Sequence, residues 1–238
     1  MNVQEDIYSF PTREKLTTEL TVVIADLLRE GIAQNDRASL AVSGGSTPIQ
    51  LFKSLSTIDL PWEKVTITLV DERWVNPTDP DSNENLVRTH LLQNKAAVAL
   101  FIGMKNSART ASEGETESSK RVQKIYLPFD VLLLGMGNDG HTASLFPGAA
   151  KLPLATDMNS GKTCMGIAPV TAPHERMTLT LPVILESKQI ILHITGQNKK
   201  DVLEQAFDEG LMEEMPIRFI LRKQTQKQKT NFKIYWAK

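Results

Sequence analysis

Apolar residues recur at three- and four-residue spacing between Thr12 and Ala33, with Leu16, Leu20, Val23, Ile24, Leu27, Leu28 and Ile32 on one stripe, which predicts a long amphipathic helix. The pattern then shortens. Apolar or alternating runs at Leu40–Val42, Val65–Val70, Ala97–Ile102, Phe129–Leu134, Gln189–Thr195 and Phe232–Trp236 predict strands, and Thr163–Ile167 reads as one more. Helices are predicted between them. Pro48–Leu55 has Thr47 as a cap and Pro48 in its first turn. Asp81 and Glu84 make a capping-box-like start to a helix ending at Leu92. Ser112–Lys124 reads as an exposed polar helix, and Asp201–Phe207 as another helix. Strands alternating with helices predict an α/β fold with a mostly parallel sheet and helices on both faces. No repeat or Pro/Ser-rich linker divides the chain, so residues 1–238 are expected to form a single domain.

In open parallel sheets ligands bind at the carboxyl ends of strands. Four predicted strands end in loops with chemistry: Ser43-Gly44-Gly45-Ser46-Thr47-Pro48, Asp71-Glu72-Arg73-Trp74-Val75, Gly135-Met136-Gly137-Asn138-Asp139-Gly140-His141, and Gly196-Gln197-Asn198-Lys199. Ser43–Pro48 suits a phosphate, because glycines admit close backbone approach and the following helix start offers N–H groups. It lacks the Gly-Lys-Ser/Thr of a nucleotide-binding P-loop. A plain strand–helix turn is the competing reading. The third loop, predicted to open a short helix, holds an Asp two residues before a His, a residue whose ordinary pKa suits proton transfer near neutrality. A tight turn with a solvent-facing histidine is the alternative there. Gly135, Gly137 and Gly140 also spell a dinucleotide fingerprint, but Pro147 follows too soon for its long helix.

Composition narrows the partners. With 27 basic and 28 acidic residues the net charge is −1, which gives no reason to expect nucleic acid or an anionic membrane. No apolar run reaches the length of a membrane span, and Met1–Phe10 lacks the pattern of a secretion signal. The one cysteine, Cys164, permits no internal disulfide and lies in a buried-strand pattern, so a cytoplasmic location is the default. His90, His174 and His193 show no metal-ligand spacing; no metal and no cofactor are expected, and His193 reads as a satisfied core residue. Arg73, Arg176 and Lys199 are candidate anion contacts, and Asp71 follows directly on a buried strand. The basic stretch Lys223–Lys229 reads as a solvated turn.

Together, Leu40-Ala-Val-Ser-Gly-Gly-Ser-Thr-Pro48, Val70-Asp-Glu-Arg-Trp-Val75, Asp81-Ser-Asn83, Gly135-Met-Gly-Asn-Asp-Gly-His-Thr-Ala-Ser-Leu-Phe-Pro147, Pro173-His-Glu-Arg-Met-Thr-Leu-Thr180 and Thr195-Gly-Gln-Asn-Lys199 resemble the bacterial-type 6-phosphogluconolactonase family, in family order. Pro216–Leu221 is similar to its closing segment, while Lys105–Lys124 matches poorly. The resemblance implies a modified Rossmann-like sheet shared with glucosamine-6-phosphate deaminase and ribose-5-phosphate isomerase. It implies hydrolysis of a sugar-phosphate lactone, with His141 as general base and Asp139 orienting it. Gly44, Gly45, Ser46, Arg176 and Lys199 would hold the phosphate, Arg73 and Asn83 would line the sugar, and Thr47 and Asp71 complete the substrate-binding set. The only partner implied is that small molecule, with a monomer the default assembly.

Two rivals stand beside it. Glucosamine-6-phosphate deaminases share the Asp-Gly-His turn but typically continue Ile-Ala-Phe-Asn-Glu-Pro, whereas Thr142-Ala143-Ser144-Leu145-Phe146-Pro147 carries no acid. A non-catalytic sugar-phosphate sensor could keep the phosphate loop, but both Asp139 and His141 are present here.

Overall fold

The computed structural model describes residues 7–224 and 231–238. Its strands are β1 (Ile7–Phe10), β2 (Ala38–Val42), β3 (Val65–Leu69), β4 (Asp71–Arg73), β5 (Leu100–Ile102), β6 (Val131–Leu134), β7 (Cys164–Ile167), β8 (Arg176–Leu179), β9 (Gln189–Thr195) and β10 (Asn231–Ala237). Its helices are α1 (Arg13–Asn35), α2 (Ile49–Ser56), α3 (Asn83–His90), α4 (Ala111–Val122), α5 (Leu152–Thr156), α6 (Leu181–Leu185), α7 (Gln197–Phe207) and α8 (Ile217–Gln224). Seven strands form one sheet in the order β1-β10-β9-β6-β2-β3-β5, every pair parallel. The central strands β2 and β6 are buried at every position, as a parallel sheet covered by helices requires.

The chain runs from β2 outward through β3 to β5, then returns to the other side of β2 for β6, β9 and β10. The order therefore reverses between β2 and β6. That switch point opens a crevice at the strand ends, between the loop after β2 and the loop after β6.

The predicted strand Val65–Val70 stops at Leu69. Val70 donates its N–H to Val42 O at 2.9 Å, and the next three residues join a separate antiparallel sheet, β4-β8-β7. The long helix is capped by Thr12, whose side chain accepts from Lys15 N. Other predicted boundaries are corrected. Thr47 caps nothing: Pro48 holds the cap position of α2, without a side-chain bond. The cap of α3 is Ser82, not Asp81, and Glu84 pairs instead with Arg88. Helix α4 is not an exposed helix, because Ala111, Gly114, Ser118 and Val122 are buried on one face. Small residues made that stripe look polar. No helix follows the glycine turn at His141; Ala143 is left-handed at φ 50° and Pro147 closes the segment. Helix α7 begins at Gln197, so Lys199 stands in its first turn and not in a loop. The predicted turn at Lys223–Lys229 falls largely outside the described residues.

One ionic clip ties three strands together below the crevice. The buried Asp130 carboxylate, just before β6, accepts from Ser39 N of β2 at 2.8 Å and from Lys188 Nζ, just before β9, at 2.7 Å. Asp130→Ala leaves the Ser39 N–H unpaired in the core. It should lower stability by about 1–3 kcal/mol, read from urea unfolding at pH 7 with the cleft residues intact.

Candidate active site

The predicted convergence is seen. A cleft of about 350 Å³ at the switch point is lined by Gly44, Gly45, Ser46, Thr47, Asp71, Arg73, Asn83, His141, Arg176 and Lys199. All four segments contribute, the last through Lys199 in the first turn of α7. Asp139 is absent from the lining; it stands behind His141.

The turn after β6 is built around that pair. Gly137 N donates to His141 O at 2.8 Å and Gly140 N to Gly137 O at 3.2 Å, closing the turn. Thr142 Oγ1 donates back to Gly135 O at 2.8 Å. Inside it, Asp139 Oδ1 lies 2.5 Å from His141 Nδ1 and 3.1 Å from His141 N. Burial raises the Asp139 carboxyl, but the hydrogen bonds and charge of His141 more than offset this and hold it below the ordinary carboxylate range. The carboxylate thus stays ionised and fixes a proton on Nδ1. The opposite nitrogen, Nε2, is left as the basic edge. Gly137 is required here for space: a Cβ on it would meet His141 Nδ1 at 2.0 Å and Asp139 Oδ1 at 2.5 Å.

Cations gather opposite. Antiparallel pairing sets Arg73 of β4 directly across from Arg176 of β8. Like charges in that register repel, so the pair favours an anion between or above them. Burial lowers the Arg176 pKa and Arg73 adds to that, while Asp71 opposes it. Arg73 Nη1 is anchored on Asp81 O at 2.7 Å and Arg176 Nη2 on Pro173 O at 3.0 Å. Lys199 is likewise lowered by burial and pulled back by the Asp139 charge. Phe146 joins the two sides: His141 stacks on its ring at 4.2 Å and the Arg176 guanidinium lies 5.7 Å from it.

Several residues that shape the site were not picked out in the sequence. Strand alternation turns Asp71 and Arg73 to the cleft and Glu72 away from it. Glu72 is fully buried and accepts from Arg73 N (2.7 Å), Ser82 Oγ (3.0 Å), Asn83 N (2.7 Å) and Glu84 N (2.8 Å). Burial pushes its carboxyl up to about 7 against the pull of those donors. It straps the start of α3 to β4 and so fixes Asn83, whose Nδ2 donates to Asp71 O at 2.8 Å. Gly44 makes room for Asn83, since a Cβ there would sit 1.9 Å from Asn83 Oδ1. Ser144 Oγ donates to Asp71 Oδ2 at 2.6 Å, orienting that carboxylate. No local signal in the sequence points to Ser144 or Glu72, because both contacts are tertiary. Cys164 is buried and its thiol is pushed up to about 12 by burial, which leaves it no nucleophilic role. His193 lines the cleft with Nδ1 unpartnered, so it is not the satisfied core residue expected.

The family model for glucosamine-6-phosphate isomerases/6-phosphogluconolactonase matches residues 11–231. The chain belongs to this family. A 6-phosphogluconolactonase of Rhizobium meliloti is 40% identical over 98% of both chains, and one of Neisseria meningitidis is 41% identical over 91% of this chain and 94% of its own. Among solved structures, a 6-phosphogluconolactonase from Shewanella baltica superposes with a TM-score of 0.93 at 44% identity, covering 98% of this chain and 97% of that one. A monomeric glucosamine-6-phosphate deaminase reaches a TM-score of 0.79 at 18% identity over 98% of this chain and 97% of its own, a likeness of fold alone. No helix among the described residues is long and apolar enough to cross a membrane.

The imidazole and carboxylate close over Gly137, so the position tolerates no side chain. Gly137→Ala should lower kcat/KM by about 10², the cost of misplacing a reacting group by about 1 Å, with circular dichroism unchanged.

Proposed function

We propose that this chain hydrolyses 6-phospho-D-glucono-1,5-lactone to 6-phospho-D-gluconate, the second step of the oxidative pentose phosphate pathway, in the cytoplasm and as one domain spanning residues 1–238. The observation that carries the reading is His141, backed by Asp139 at 2.5 Å, facing a cleft whose other walls are a glycine-rich loop and an arginine pair. Lactonases at 40–41% identity over nearly the whole chain support the same substrate.

The phosphate is held by backbone N–H groups of Gly44, Gly45 and Ser46, the Thr47 hydroxyl, Arg176 and Lys199. Asp71, Arg73 and Asn83 line the sugar. A lactone is already an activated ester, so one base and one positioned water suffice. His141 Nε2 takes a proton as water oxygen bonds to C1, and the carbonyl electrons move onto oxygen. When the tetrahedral species collapses, the C1–ring-oxygen bond breaks and the imidazolium returns its proton to the ring oxygen. Asp139 stays ionised throughout and stabilises the imidazolium. A deaminase must also move a proton between C1 and C2, and the stretch Thr142–Pro147 offers no acid for it, its Ser144 being bound to Asp71.

His141→Ala should lower kcat by at least about 10², the worth of general-base catalysis, in a folded protein assayed on fresh lactone with spontaneous hydrolysis subtracted. The wild type should release no ammonia from glucosamine 6-phosphate; turnover comparable to that on the lactone would replace this reading with the deaminase one.

Arg176→Ala should act differently. It removes a charged hydrogen bond to the phosphate, so KM should rise by the equivalent of about 1.5–3 kcal/mol while kcat changes less. A kcat loss with KM unchanged would move Arg176 from the phosphate to the reacting carbonyl.

A further inference from the structure

Five buried side-chain polar atoms among the described residues have no hydrogen-bond partner: Ser43 Oγ, Asn83 Oδ1, Arg176 Nε, Ser187 Oγ and His193 Nδ1. All but Ser187 belong to residues lining the cleft. Unmet polar atoms cost free energy in a core, so these cleft-lining residues are held in place at the expense of stability. Ser43, Asn83 and Arg176 lie in segments already tied to the sugar phosphate. His193 does not.

His193 sits in β9 between Leu192 and Ile194, in register with Tyr235 of β10, and is 4% exposed. It borders two spaces at once. One is the cleft; the other is an adjoining cavity of about 550 Å³ beside α1 and α2, and Ser46 and Thr47 line both. His193 therefore stands where the two spaces meet beside the glycine-rich loop. Burial pushes its pKa down to about 4, so it is neutral at pH 7 and carries one N–H and one bare nitrogen. An orphaned buried N–H is rarer than an under-satisfied acceptor. The buried, unpartnered Nδ1 is then the bare nitrogen, which leaves the proton on Nε2.

We propose that His193 is a substrate-contacting residue whose Nε2–H donates to the phosphate monoester at the junction beneath Ser46 and Thr47. The inference rests on the sugar-phosphate reading of the cleft. A neutral donor suits this place, because Arg176 and Lys199 already oppose the phosphate charge. A residue kept only for packing would be served better by leucine, which fills a similar volume with no polar atom to desolvate.

That contrast yields a test in which stability and binding move in opposite directions. His193→Leu should raise Tm by about 2–4 °C, as relief of about 1 kcal/mol does in a chain of this size. The same variant should weaken binding of 6-phosphogluconate about tenfold or more by calorimetry, the loss expected for a hydrogen bond to a charged group. His193→Gln, which keeps a neutral donor, should recover most of that affinity. Unchanged 6-phosphogluconate affinity in a folded His193→Leu protein would overturn the proposal, and so would a fall in Tm matching the loss of binding. Wild-type turnover of the lactone is measured alongside. Absent turnover with His193-dependent binding would remove the lactonase reading and leave the phosphate contact standing.

Discussion

The 2.5 Å contact between Asp139 Oδ1 and His141 Nδ1 is the constraint around which the active end of the molecule is arranged. It sets the tautomer of the imidazole and aims it, and it can exist only because Gly137 leaves the space. The turn that carries it is anchored at both ends. It grows from β6 at the centre of the sheet, and Ile217 N of α8 donates to Gly140 O at 2.9 Å. From His141 the packing passes through Phe146 to Arg176, so the base and the anion site share one aromatic wall.

The second organising feature is the departure of the chain from the main sheet after β3. Three residues enter the small antiparallel sheet and put a carboxylate and a guanidinium on the cleft side, with Arg176 opposite. Two adjacent guanidiniums and a buried carboxylate are poor choices for stability. Glu72 collects four donors and fastens β4 to the start of α3, itself at a desolvation cost. The site thus spends some of the stability supplied by the core below it, where the Asp130 clip and the all-apolar β6 lie.

Much of this was legible in the sequence because parallel strands are buried on both faces. Val131–Leu134 and Ile190–Leu192 are apolar runs, and the loops that follow their strands carry the chemistry. Ten of the eleven predicted site residues line one cleft, with Asp139 directly behind His141. Failures have physical causes as well. The face of α4 is built from Ala, Gly and Ser, which carry no hydrophobic signal. The split between β3 and β4 turns on tertiary pairing with β8, which local pattern does not encode. Glu72 and His193 were overlooked or misread because a buried acid in a charged run and a histidine in an apolar run look ordinary until their partners are known.

The most direct test of the central pair is a double-mutant cycle on kcat with Asp139→Asn and His141→Ala. Asp139 works only through His141, so adding Asp139→Asn to His141→Ala should cost nothing further, although Asp139→Asn alone is damaging. Additive losses would contradict this, because they would mean that Asp139 acts on the substrate or the water by itself.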